Sequence, residues 1–132
     1  HQGTDVDLFA PCLIPEDYIH DVSARLLLYK RISHAKSPEA LRELQVEMID
    51  RFGLLPDPIK NLFMVTLLKL KATPLGIKKI EMNPTAGKLQ FFDKPNIDFT
   101  KLMNLIKKQG HVYQFQGGQT LRLKMSLVDF SQ

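Results

Sequence analysis

The sequence predicts an α+β fold: a helical N-terminal half of three helices, then a small, mostly antiparallel sheet of two hairpins with a helix inserted between them. Three observations point there. Between residues 21 and 71, apolar side chains recur at helical spacing, in blocks bounded by Asp21, Ser37-Pro38 and Asp57-Pro58. After Pro74 the period shortens to two. Helical and extended segments are segregated along the chain instead of alternating, which is the α+β pattern and not that of a parallel α/β sheet.

The elements follow in order. "DVDLFA" sets Val6, Leu8 and Ala10 against Asp5, Asp7 and Phe9, a short strand. "PCLIPEDYIHD" is a loop bounded by Pro11 and Pro15. Asp21 then caps a helix to about His34, with Val22, Leu26, Tyr29 and Ile32 on the expected buried stripe. Ser37, Pro38 and Glu39 are the cap, first-turn proline and first-turn anion of a second helix. Its buried stripe is Leu41, Leu44, Met48 and Phe52, and Gly53 stops it.

Asp57-Pro58 opens a third helix, to about Lys71, apolar nearly all round and so expected to be the most buried. "IKKIEMN" and "KLQFFD" around "PTAG" read as a hairpin, and "VYQFQ" and "TLRLKM" around Gly117-Gly118 as a second. Between them Asp98 caps a helix with Phe99, Leu102, Met103 and Ile106 inward, ended by Gly110.

The chain of 132 residues is read as one domain, residues 1–132, a module of a longer protein. Residues 1–4 are an expected unordered start, and "SLVDFSQ" reads as the opening of a helix cut off after about Phe130. The longest apolar run, Leu62 to Leu68, falls far short of the roughly 20 residues that cross a bilayer. Cys12 is the only cysteine, which rules out an internal disulfide and fits a reducing, cytoplasmic setting.

The charge is uneven. Residues 1–59 hold 6 Lys+Arg against 10 Asp+Glu, and residues 60–132 hold 12 against 4. Lys78, Lys79, Lys88, Lys94, Lys101, Lys107, Lys108, Arg122 and Lys124 could form a phosphate-contacting face, with Tyr113, Phe91 and Phe92 stacking on bases if exposed. The residues support this DNA-contacting reading only as an alternative, because strand alternation sends about half of those aromatics inward and arginine is scarce there.

Catalytic chemistry has no visible residues. No phosphate-binding G-x-x-x-x-G-K-[ST] or G-x-G-x-x-G occurs, and "GGQTLRLK" lacks the spacing. His20, His34 and His111 are scattered, without a cysteine at ligand spacing, so no metal site is expected. No cofactor is expected in this chain, and it is read as not an enzyme.

The second helix raises one local question. Glu47 and Asp50 lie close to its carboxyl end, where anions oppose the helix dipole. Glu43, Glu47, Asp50 and Arg51 fall away from Leu44, Met48 and Phe52, and Glu47 precedes Arg51 by four, the favourable order for an ion pair. Either this is a solvated face with one weak pair, or it is a polar docking patch on which a partner's basic groups compensate Asp50.

Three runs carry a family resemblance. They are P-x-D-Y-I at Pro15–Ile19, R-L-x-x-Y-K-R-I at Arg25–Ile32 and E-x-x-D-R-F-G-x-x-P-x-P at Glu47–Pro58, supported by "LGIKKIE" and "TLRLKM". In this order they resemble the C-terminal module of bacterial transcription-repair coupling factors, over nearly the whole chain. "HQGT" has no counterpart in the family pattern.

The resemblance implies that the full-length protein is an ATP- and magnesium-dependent double-stranded DNA translocase. It would displace stalled RNA polymerase and recruit UvrA in nucleotide excision repair. This module would be non-catalytic, docking on a UvrB-like module and masking the surface that UvrA needs. The implied docking residues are Glu47, Asp50 and Arg51, with Phe52 and Gly53 structural. Tyr29, Lys30 and Arg31 are read as core plus exposed charge. The possible DNA contacts in the alternative reading are Lys78, Lys79, Lys107, Lys108, Arg122 and Lys124.

Overall fold

Three helices and five strands make up the described chain. The computed structural model describes residues 3–93, 95–98, 100, 113–115 and 120–123. These are β1 (Asp5–Asp7), α1 (Val22–Ser33), α2 (Pro38–Phe52), α3 (Asp57–Ala72), β2 (Ile77–Met82), β3 (Gly87–Phe91), β4 (Tyr113–Phe115) and β5 (Thr120–Leu123), with a 3-10 turn at Thr73–Leu75. Apart from Asp98 and Thr100, the expected fourth helix lies outside the described residues, as does the Gly117-Gly118 turn. The chain divides into a helical unit, residues 10–70, and a sheet unit formed by residues 1–9 and 71–132.

In the helical unit the local signals work as read. Asp21 accepts from the Ser23 N–H and caps α1. Ser37 accepts from the Ala40 N–H and Pro38 opens α2, while the Gly53 N–H closes it on the Ile49 carbonyl. Gly53 has φ 98 and ψ −172, a conformation that only glycine adopts readily. The chain therefore leaves α2 extended instead of curling into a further turn. At α3 the boundary moves by one residue. Asp57 is already helical, and the Pro56 carbonyl accepts the first bonds, from Ile59 and Lys60.

The core of this unit is Ile14, Ile19, Leu28, Ile32, Leu41, Leu44, Met48, Ile59 and Phe63. Phe52 is only partly buried against it. The expected stripe on α1 needs correction. Leu28 and Ile32 are the buried residues, whereas Val22 and Leu26 are 57% and 63% exposed. The helix carries so many apolar residues that two stripes fit its sequence, and tertiary packing chooses between them. On α3, Ile59, Phe63, Leu68 and Ala72 are buried, and Asp57, Lys60, Lys69 and Lys71 are exposed.

The sheet has the strand order β1-β2-β3-β5-β4. β1 runs parallel to β2, with Val6 opposite Ile80, and every other pairing is antiparallel. The β2–β3 hairpin turns on Asn83, whose side-chain oxygen accepts from the Thr85 and Ala86 N–H groups. A register shift between Ile77 and Lys79 lets Ile77 and Ile80, three residues apart, both be buried. Thr4 belongs to the expected unordered start. It is nonetheless 4% exposed, and its hydroxyl donates to the Ile77 carbonyl at 2.6 Å.

Candidate docking site

The outward side of α2 is built by its own period. Leu41, Leu44 and Met48 turn inward, which leaves Glu43, Val46, Ile49 and Asp50 exposed and Glu47 and Arg51 on the flank. Glu47 and Arg51 form the expected pair, with Nη1 3.3 Å from Oε2. The Arg51 guanidinium also lies 4.8 Å from the centre of the Phe52 ring, and the Tyr18 ring packs on Phe52 at 5.9 Å.

The stronger partner of Glu47 comes from α1. Arg31 Nη1 donates to Oε2 at 2.5 Å and Nη2 to Oε1 at 2.8 Å, a two-pronged contact between helices. Arg31, read from sequence as exposed charge, is therefore a strut. The sequence reading missed it because sixteen residues separate the partners and no helical spacing rule reaches that far. Beside the pair lies an open groove of about 310 Å³, lined by Arg31, Ala35, Ala40, Glu43, Leu44 and Glu47.

The two anions near the carboxyl end of α2 stand in different surroundings. Glu47 tolerates the wrong end of the dipole because two guanidinium groups of its own chain compensate it. Asp50 is exposed and forms no hydrogen bond or ion pair among the described residues. An alanine at Glu47 would remove the carboxylate through which Arg31 joins α1 to α2, so that position also serves the packing of the two helices.

The hydrogen bonds from Arg31 hold the Glu47 carboxyl down, from its ordinary 4.5 to about 2; the charges of Arg31 and Arg51 add to this, and partial desolvation opposes it. The same contact raises Arg31 above its usual value. A carboxyl depressed in the folded state stabilises fully above its unfolded value, here 4.5, and that contribution is lost as pH falls through about 2. Carbon-detected NMR titration of Glu47 should give a midpoint of about 2. A midpoint in the ordinary range would contradict the two-pronged contact. The Glu47→Gln chain should lose less stability to urea than the native chain over the same acid interval.

Other motif residues also serve the fold. The Tyr18 hydroxyl donates to the Gly53 carbonyl at 2.7 Å and lies 3.3 Å from the Met48 carbonyl, closing the end of α2. Arg25 donates to the Ile19 and His20 carbonyls, tying down the loop before α1. The Ile14 N–H donates to the Tyr29 hydroxyl at 2.6 Å.

The basic residues of the sheet unit do not make one uniform face. Lys78 is exposed at the register shift, while Lys79 is 3.6 Å from Glu81. Lys88 stands opposite Glu81 on one side and Arg122 on the other, and Asp7 is opposite Glu81. The described part of this polar face is thus mixed in sign. Phe91 is buried and unavailable for stacking, and Phe92 is partly buried. Lys94, Lys101, Lys107, Lys108, Lys124 and the Tyr113 side chain lie outside the described residues. No helix among the described residues is long and apolar enough to cross a membrane.

The TRCF domain model matches residues 8–102. The transcription-repair-coupling factors of Haemophilus influenzae and Escherichia coli are each 42% identical over 128 residues, 97% of this chain. That of Bacillus subtilis is 32% identical over 126 residues, 94% of this chain. The chain spans 11% of the length of each of these relatives. A crystal structure described as the C-terminal domain of transcription-repair coupling factor shares the fold, with a TM-score of 0.75 at 20% identity over 97% of this chain and 84% of that one. The run from Glu47 to Gly53, with the helices that carry it, falls wholly within the matched region, and the chain belongs to the TRCF domain family of the transcription-repair-coupling factors.

Proposed function

We propose that this chain is a non-catalytic docking module of a transcription-repair coupling factor, and that it holds the factor in a repressed state. It folds back on a UvrB-like module of the same protein and covers the surface that UvrA needs. The rest of that protein is an ATP- and magnesium-dependent translocase on duplex DNA that acts on stalled RNA polymerase. The observation that carries this reading is Asp50. It is exposed in the last turn of α2, at the negative end of the dipole, and no described residue compensates it. Arg51 follows it in the chain, and Val46, Ile49 and Leu54, the last 85% exposed, lie within four residues of it in sequence and leave apolar surface open. An exposed carboxylate with exposed aliphatic residues nearby in sequence is suited to a partner that brings a cation and covers apolar surface.

The mechanism is a two-state equilibrium, closed against open. A few desolvated charge contacts are enough to bias it tenfold or more. Binding of polymerase or DNA elsewhere in the protein favours the open state and exposes the UvrA surface.

Asp50→Ala in the full-length protein tests this without disturbing the Arg31–Glu47 strut. UvrA binding and ATPase activity should both rise, by roughly tenfold for binding. Changing Arg51 and Glu47 to alanine as well should raise them further. UvrA affinity unchanged by Asp50→Ala and by the triple change would sink the docking reading.

A further inference from the structure

At the flank of the docking face, both carboxylate oxygens of Glu47 are held. Arg31 occupies Oε1 at 2.8 Å and Oε2 at 2.5 Å, and Arg51 reaches Oε2 at 3.3 Å from the next turn. Two parallel N–H···O bonds fix the plane of a carboxylate as well as its position, which a point-charge donor such as lysine cannot do. Yet the Glu47 side chain keeps 37% of its surface open to a partner, and Arg31 keeps 39%. Arg31 belongs to α1 and Glu47 to α2, so the contact also ties the docking helix to its neighbour.

We propose that Arg31 is a positioning residue for docking: it acts through Glu47, setting that carboxylate and the adjacent Arg51 in the geometry that the partner surface meets. The inference rests on the docking function proposed above. Side chains that must be ordered at the moment of binding weaken an interface, and a clamp that orders them beforehand removes that cost. Arg31 thus tightens the closed state with no requirement that it touch the partner. The R-L-x-x-Y-K-R-I run, which includes Arg31, is thereby joined in one role with the E-x-x-D-R run.

Four variants of the full-length protein test it: Arg31→Lys, Glu47→Gln, the two combined, and Asp50→Asn. UvrA affinity and thermal stability are measured for each. Arg31→Lys keeps the charge and loses the fork, so UvrA affinity should rise about fivefold. In the Glu47→Gln background the same change should add nothing, because Arg31 works through that carboxylate. The Glu47 titration midpoint in Arg31→Lys should also move up towards 4.5, a shift that a merely structural strut elsewhere would not produce.

Arg31→Lys without effect on UvrA, while Asp50→Asn raises binding, would overturn the positioning role and leave the docking function standing. Silence from both would overturn both. Additive effects in the combined variant would show that Arg31 acts by another route, and would also overturn the inference. Should Arg31→Lys fail to fold, Glu47→Asp replaces it. It withdraws the carboxylate from Arg31 by one methylene, and an unchanged UvrA affinity there again overturns the proposal.

Discussion

Met48→Ala is expected to destabilise the helical unit by about 2–5 kcal/mol, the range for truncating a fully buried methionine. Met48 has 0% of its surface exposed and belongs to the cluster in which α1, α2 and α3 meet through Ile32, Leu44 and Phe63. Part of the cost is the lost transfer free energy of the side chain, and part is the cavity left among neighbours that cannot all collapse into it. Met48→Leu preserves the volume and should cost less than about 1.5 kcal/mol. Urea unfolding checks both. The midpoint should fall sharply for alanine and little for leucine, and an alanine variant as stable as the leucine variant would show that the site relaxes freely. Met48 lies on the side of α2 away from Asp50, so the leucine variant should keep the docking behaviour.

Gly76→Ala should destabilise the sheet unit by about 1–3 kcal/mol, for two separable reasons. Gly76 has φ 74, a left-handed conformation that a Cβ penalises, and a Cβ there would stand 2.8 Å from the Pro95 Cα. Backbone is what it would meet, and backbone gives way less readily than a side-chain tip. Asparagine tolerates left-handed φ better than alanine but carries the same Cβ. If φ alone mattered, Gly76→Asn would recover much of the loss; with the clash present it should recover little. Gly53 supplies the contrast: φ is 98 there, but an added Cβ meets nothing within 4 Å. Asparagine at Gly76 as stable as glycine would refute the steric half of the account.

The parts of the fold that were legible in the sequence are those decided within a few residues. The ends of α2 are an instance. Ser37, Pro38 and Gly53 each act on backbone groups one to four positions away, so their meaning does not depend on the rest of the molecule. The buried side of α2 was legible too, because Leu41, Leu44 and Met48 recur at helical spacing while Glu43, Glu47 and Asp50 fall away from them. On α1, Val22, Leu26, Leu27, Leu28 and Ile32 permit more than one stripe, and the choice was made by residues distant in sequence.

The same distinction runs through the candidate site. The Glu47–Arg51 pair could be read from its spacing, whereas the Arg31–Glu47 contact depends on how two helices pack. The register shift at Ile77 and Lys79 was hidden as well, since a bulge breaks the very alternation by which a strand is recognised.

The parallel pairing of Asp5–Asp7 with Lys79–Glu81 has a consequence for biogenesis. On a ribosome, β1 emerges ahead of β2 and has that neighbour only after more than seventy further residues have been made. The helical segment, complete by Leu70, is free to form during that wait. Within this chain β1 thus joins its sheet late, and the loop closed by that step spans the whole helical unit.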